Sequence, residues 1–178
     1  MKYFDELKRS MEFLSEDPKV IFLGQAVACA GTAMSNTLKD VPESMKLELP
    51  VDEEMQMGMT NGLALQGRLP VSIFPRWNFL LCATNQLVNH LDKFSEMSNG
   101  GYQPKAIIRT GIGAERPLHP QYQHVGDFTE AFRIMCPNID IVRLEEAEDI
   151  FPAYSKAWKR EDGRSTLLVE YGDHYGEK

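Results

Sequence analysis

Six short apolar runs, VIFLG (20–24), KLELP (46–50), LPVSIF (69–74), KAIIRT (105–110), IDIVRL (139–144) and TLLVEY (166–171), recur along the chain with helix-patterned segments between them. Strands that alternate with helices in this way cannot pair as hairpins. They form a mostly parallel sheet whose crossover helices cover both faces. The sequence therefore predicts an α/β fold, a three-layer sandwich, and each helix can be placed. Residues 2–15 space Phe4, Leu7, Met11 and Leu14 by three and four, the pattern of a surface helix, and Pro18 stops it. The small-residue stretch AVACAGTAMSNTLKD (26–40) reads as a helix packed closely on the sheet. Further helices are expected at 53–66, closed by Gly67, at 78–96 and at 128–134, with one over 145–161 that breaks or restarts at Pro152. The long stretch 111–127, with three Gly and two Pro, follows a strand end. In an open α/β sheet such loops bind ligands. No repeat or linker divides the chain, so a single domain is expected over 1–171, with its N-terminal helix in 1–17 and a frayed tail at 172–178.

Composition narrows the function classes. The formal charge is −7, and no basic run is longer than a pair such as Lys159–Arg160. Nucleic-acid and anionic-membrane surfaces need a concentrated basic field, so neither partner is expected. Cys29, Cys82 and Cys136 are distant from one another, odd in number and set in apolar sequence, which predicts three buried thiols. No apolar run reaches the length of a membrane span and no basic-apolar leader opens the sequence, so a cytoplasmic location is expected.

The stretch LELPVDEEMQMGMTNGLALQGRLP (47–70) holds the candidate chemistry. Glu53 and Glu54 stand where a strand runs into a helix. Carboxylates favour that position simply because they complement the helix dipole. Gly58 and Gly62 follow one turn apart on one face. Two helical glycines cost roughly 1 kcal/mol each relative to alanine, so another helix or a ligand has reason to approach the backbone there.

The pattern strand, Glu, four residues, Gly, three residues, Gly, then a second Gly-bounded strand and an aromatic-Asn-Phe group appears here as PVDEEMQMGMTNG, QGRLPVSIF and WNF. NQLVNHLDKF (85–94), the QH of 123–124 and CPNIDIV (136–142) continue it in order. In these features the chain resembles the pyrimidine-binding domain of the thiamine diphosphate-dependent transketolase superfamily, most of all the β subunit of 2-oxoacid dehydrogenase decarboxylating components. The resemblance implies that Glu53, not Glu54, meets the aminopyrimidine ring of thiamine diphosphate. An acid sharing a proton with the ring nitrogen favours the imino tautomer, whose nitrogen can strip the weakly acidic thiazolium carbon. It implies that Phe79 stacks on the pyrimidine, with Gly58 and Met55 of the same helix among the cofactor-binding residues. Trp77 belongs to the core or shares that wall. One of two loop histidines, His124 or His119, would serve the substrate carboxylate or proton transfer. His124 matches the β-subunit pattern and His119 the transketolase pattern. Gln25 stands where β subunits carry Glu, and no catalytic role is assigned to it.

The superfamily holds its diphosphate through a divalent metal bound by Gly-Asp-Gly and a downstream Asn, and that motif does not occur in this sequence. The resemblance therefore implies a partner chain, a diphosphate-binding α-type subunit carrying Mg2+ or Ca2+, and an assembly of two chains of each kind. Neither that domain nor the family's C-terminal domain is expected in this chain. The implied reaction is 2-oxoacid decarboxylation with acyl transfer. Ketol transfer, as in transketolase or deoxyxylulose phosphate synthase, is the alternative within enzymes, and a non-catalytic partner-binding module is the alternative outside them.

Overall fold

The structure is a computed structural model describing residues 2–29, 32–113 and 122–176. Its six strands, β1 (Val20–Gly24), β2 (Lys46–Glu48), β3 (Leu69–Ile73), β4 (Ile107–Ile112), β5 (Asp140–Leu144) and β6 (Thr166–Tyr171), form one sheet in the order β2-β1-β3-β4-β6-β5. Every neighbouring pair is parallel. The sheet is buried on both sides because alternate residues face opposite layers. Ile107 and Leu168 pack under α1 (Tyr3–Ser15) and α6 (Ala147–Lys159), with Leu7, Met11, Leu14, Ile150 and Tyr154. Ile108, Leu167 and Val169 pack on the other side, against Met57 of α2 (Glu53–Leu65), Leu80 of α3 (Trp77–Leu80) and Phe132 of α5 (Thr129–Met135). These are the three layers the alternation predicts.

Five expectations need correction. Residues 26–40 do not form an α-helix: among the described ones the helical part is Ser35–Leu38, a 3-10 segment. Ser and Thr side chains compete with the helix there, with Thr32 and Ser35 bonding each other's backbone N–H and the Thr37 hydroxyl donating to the Met34 carbonyl at 2.6 Å. The helix expected at 78–96 is interrupted by a 3-10 turn at Leu81–Ala83 and a π-helix at Gln86–Leu91, before α4 (Phe94–Met97). Asn61 of α2 donates to the Gln86 carbonyl at 3.0 Å, where the wider turn begins. In contrast, α6 runs straight through Pro152, its start fixed by a reciprocal capping box between Glu146 and Asp149. The described part of the tail is not frayed: Gly172–Gly176 forms a 3-10 turn and Tyr175 packs against Tyr3 and Phe4. The thiols also differ from expectation, since Cys136 is buried but Cys29 and Cys82 are exposed. Burial raises the Cys136 thiol to about 12.

Beneath α1 and α6 lies a buried ionic knot. The Arg109 guanidinium donates to Glu170 at 2.7 and 3.1 Å and to the Thr37 hydroxyl at 3.1 and 3.2 Å. Tyr154 donates to Glu170 at 2.5 Å, and the Tyr175 hydroxyl donates to the other oxygen. Burial alone would push the Arg109 guanidinium down; Glu170 outweighs it and holds it above its ordinary value. The knot joins β4, β6, α6, the 35–38 turn and the tail.

Candidate active site

The chain leaves β1 towards β2 on one side and returns to β3 on the other, so the order of connection reverses between β1 and β3. The crevice at the carboxyl ends of such a strand pair is where open α/β sheets take ligands. Gly24 ends β1 with a φ of +154°, and a Cβ there would meet the Ile73 carbonyl at 2.7 Å. Only glycine lets the two strand ends run this close. Gln56, buried below, donates to the same carbonyl at 3.0 Å and to the Ser72 hydroxyl at 3.1 Å, closing the floor.

Glu53 is the first residue of α2 and opens onto this crevice. Asp52 caps the helix by accepting the Met55 N–H at 2.9 Å, which leaves Glu53 on the first turn, where the dipole favours a carboxylate. Gln25, the residue after Gly24, donates to Oε1 of Glu53 at 3.2 Å. Oε2 has no protein partner among the described residues, and Glu53 is half-buried. Glu54 is engaged elsewhere: it accepts Asn85 at 2.9 Å and Gln86 at 3.0 Å, bracing α2 against the 77–97 segment. The two adjacent acids thus differ in kind, one with an oxygen held in reserve and one used as a strut.

Gln25 is presented by a loop that is itself clamped. Glu48, at the end of β2, accepts the backbone N–H groups of Ala26, Val27 and Ala28 at 2.6, 2.8 and 2.8 Å. Ala26 adopts a φ of 54°, so the three amides form a nest around the carboxylate. Partial burial works against that charge, but the N–H groups of Ala28, Ala26 and Val27 outweigh it and hold Glu48 below its ordinary range. Sequence reasoning passed over Glu48 and assigned nothing to Gln25. The available signal was position, a carboxylate ending one strand and an amide directly following the Gly of its neighbour.

Phe79 lies half-buried on α3, just past β3, with the His124 ring against it at 4.8 Å between centroids and an interplanar angle of 31°. His124 sits in the left-handed region, φ 65°, and its loop is tied down at two points. Arg76 donates to the His124 carbonyl at 3.1 Å, and Gly126 N–H donates to Asn78 Oδ1 at 3.3 Å. The Nδ1 of His124 is buried without a hydrogen-bond partner. Buried polar atoms of that kind are uncommon in folded proteins and fit a site awaiting a ligand. His119 falls outside the described residues. Trp77 is fully buried against Phe132, a core residue. Met55, in the first turn of α2, is 36% exposed. A Cβ on Gly58 would meet Gln86 at 3.9 Å, and one on Gly62 would meet nothing, so the glycine face is open. Among the described residues no group of three or more His, Cys, Asp or Glu could hold a metal ion.

The sequence pattern of the transketolase pyrimidine-binding domain matches residues 8–175. This chain belongs to that family. Among curated relatives of this pyrimidine-binding domain, the mitochondrial pyruvate dehydrogenase E1 component subunit beta of Homo sapiens is 31% identical over 177 residues, covering 97% of this chain and 48% of the relative. The corresponding subunit of Chaetomium thermophilum is 36% identical over 148 residues, covering 78% of this chain and 36% of the relative. The chain thus spans half or less of the length of these relatives. Two solved structures share the fold. One, described as a split gene transketolase, inactive beta4 tetramer, superposes with a TM-score of 0.63 at 17% identity, covering 94% of this chain and 50% of the other. The second, a putative thiamin diphosphate-dependent enzyme from Mycobacterium smegmatis, gives 0.64 at 14%, with coverages of 98% and 31%. The pyrimidine half of thiamine diphosphate fits the residues present: an acid with an unengaged oxygen, a half-buried aromatic ring and an unpartnered imidazole nitrogen all lie at the carboxyl edge of the sheet. The diphosphate half finds no metal-binding group among the described residues.

Proposed function

We propose that this chain supplies the pyrimidine side of a thiamine diphosphate site, completed by a diphosphate-binding partner chain that carries Mg2+ or Ca2+. The observation that carries the reading is Glu53, at the β1/β3 crevice with Oε1 held by Gln25 and Oε2 without a partner among the described residues. In this role Oε2 holds or shares a proton with a ring nitrogen, and Gln25 keeps the carboxylate from turning away. Phe79 gives the ring an apolar face worth about 0.5–1.5 kcal/mol beyond burial. The His124 imidazole, now lying on that face, rotates aside or stays as a second wall, its free Nδ1 exchanging a proton or hydrogen bond with the substrate. Once activated, thiamine diphosphate supplies a carbon nucleophile that cleaves a bond next to a carbonyl.

The favoured reaction is decarboxylation of a 2-oxoacid with transfer of the acyl group, because the curated relatives quoted are pyruvate dehydrogenase E1 β subunits. The split gene transketolase supports ketol transfer only through the shared fold. The exposed Met55 and the open Gly62 support a helix-packed assembly of two chains of each kind.

Calorimetric titration tests the reading. The chain is co-expressed with a candidate partner bearing Gly-Asp-Gly and a downstream Asn, and thiamine diphosphate with Mg2+ is added. Saturable binding is expected for the complex and for neither chain alone. A stable complex that binds no thiamine diphosphate contradicts the proposal.

A further inference from the structure

The amino ends of the strands, opposite the crevice, hold a cleft of about 420 Å³. Four segments far apart in sequence deliver a cation to it: Lys19 from the turn before β1, Arg68 from the turn before β3, Lys105 from the entry to β4 and Lys159 from the end of α6. Two acids, Asp17 and Glu161, share the lining. Such a gathering is unexpected in a chain of charge −7, where carboxylates are in excess.

Most of the other described cations are paired, though Lys2, Lys39 and Arg164 are not. Lys8, Lys46, Lys93, Arg133 and Arg143 each sit within ion-pair distance of a carboxylate. Lys19, Arg68, Lys105 and Lys159 make no ion pair among the described residues. Arg160, which also touches the cleft, is committed to Asp140 at 2.6 Å and Asp162 at 2.7 Å. Asp17 is fixed in place by accepting the Lys19 backbone N–H at 2.9 Å and the Trp158 indole N–H at 2.9 Å, while its charge still acts on Lys19 and Lys105.

Lys105 is the built part of the cleft. Its ammonium is half-buried and donates to the Trp158 and Arg160 carbonyls at 2.7 and 2.8 Å. Both acceptors are neutral, one N–H remains unused, and burial pushes the group below its ordinary value. Burial outweighs the attraction of Asp17, Asp162 and Glu161 for this ammonium, and no carboxylate among the described residues touches it, so an arriving anion would stabilise it. Helix ends explain part of the arrangement: Lys105 satisfies the last carbonyls of α6, and Lys159 complements its dipole. They do not explain why Lys19 and Arg68 converge on the same cleft.

From this convergence we infer that the cleft is a binding site for a small phosphate-bearing anion, with Lys105 at its base and Lys19, Arg68 and Lys159 around the charge. The Trp158 ring and Leu69 form the wall against which the rest of such a ligand rests. The site is separate from the cofactor crevice, though one element spans both. The 13 residues of α2 begin at Glu53 and run about 20 Å to the last turn, where Ala64 lines the cleft.

The test is titration of the isotopically labelled chain with inorganic phosphate and with inorganic pyrophosphate, against potassium chloride of matched ionic strength, followed by amide and indole NMR shifts. Expected is saturable binding, with a dissociation constant of about 1 mM or tighter for pyrophosphate. The shifts should be confined to residues 17–19, 67–69, 103–105 and 158–161, with the Trp158 indole among them. The surface double variant Arg68→Ala/Lys159→Ala, checked for folding by circular dichroism, should bind roughly tenfold more weakly or worse. Shifts that chloride reproduces, that fail to saturate, or that are unchanged in the double variant overturn the inference. Shifts centred on Glu53 and Phe79 instead would place the anion in the crevice and overturn it equally.

Discussion

The ionic knot around Arg109 and the crevice around Glu53 are both polar clusters beside the same sheet, yet their accounting is opposite. In the knot every strong donor has an acceptor: Arg109 spans Glu170 and Thr37, and two tyrosine hydroxyls take up the remaining valence of Glu170. In the crevice the polar groups are left short, with one oxygen of Glu53 and the Nδ1 of His124 unpartnered among the described residues. A buried network closed on itself specifies packing; a cluster with unused valence at a strand switch point is prepared for a ligand. Perturbation should therefore harm the two regions differently.

The largest effect belongs to the knot. Glu170→Gln leaves the Arg109 charge buried without its counter-charge and should cost about 3–5 kcal/mol, read from urea denaturation. A loss below about 1 kcal/mol would mean that water reaches Arg109 and that the contrast is overdrawn.

A smaller and local effect is expected at Glu48. Its carboxylate is held below the ordinary value of 4.5, so the clamp on the Ala26–Ala28 amides is complete above 4.5 and is lost only as the pH falls through the lowered value. Amide shifts of those three residues should titrate together with a midpoint under 4.5. A midpoint at or above 4.5 would show that the nest does not hold the charge. Glu48→Ala should release the same amides to fast hydrogen exchange while changing global stability by no more than about 1 kcal/mol.

The sequence exposed the frame of this contrast but not its wiring. Strand and helix periods carried the sheet, because VIFLG, LPVSIF and TLLVEY have burial on both faces written in them. The helix that begins at Glu53 was legible as well, and the resemblance to the pyrimidine-binding domain singled that acid out from its neighbour. What periodicity could not carry were the partners fixed by tertiary contact. Gln25 acquires a role only because Gly24 brings β1 against β3, and Glu48 only because the following loop takes a left-handed step at Ala26. The expected helix at 26–40 failed for the same reason: small residues favoured it, and local hydroxyl bonds together with the Glu48 clamp prevailed. The tail read as frayed because nothing in GDHYGEK announces that Tyr175 will find Glu170.

The central claim is that Glu53 and Glu54, neighbours in sequence, have separate tasks. The most direct measurement compares turnover of Glu53→Gln and Glu54→Gln in the reconstituted complex with its partner chain, after thiamine diphosphate binding to each has been verified. Glu53→Gln should lower kcat by about 100-fold or more with the fold intact, as expected for loss of a group that moves a proton. Glu54→Gln, which disturbs only a brace to Asn85 and Gln86, should remain within a few-fold of the unaltered complex. Unchanged turnover in Glu53→Gln, or an equal loss in both variants, would contradict the assignment.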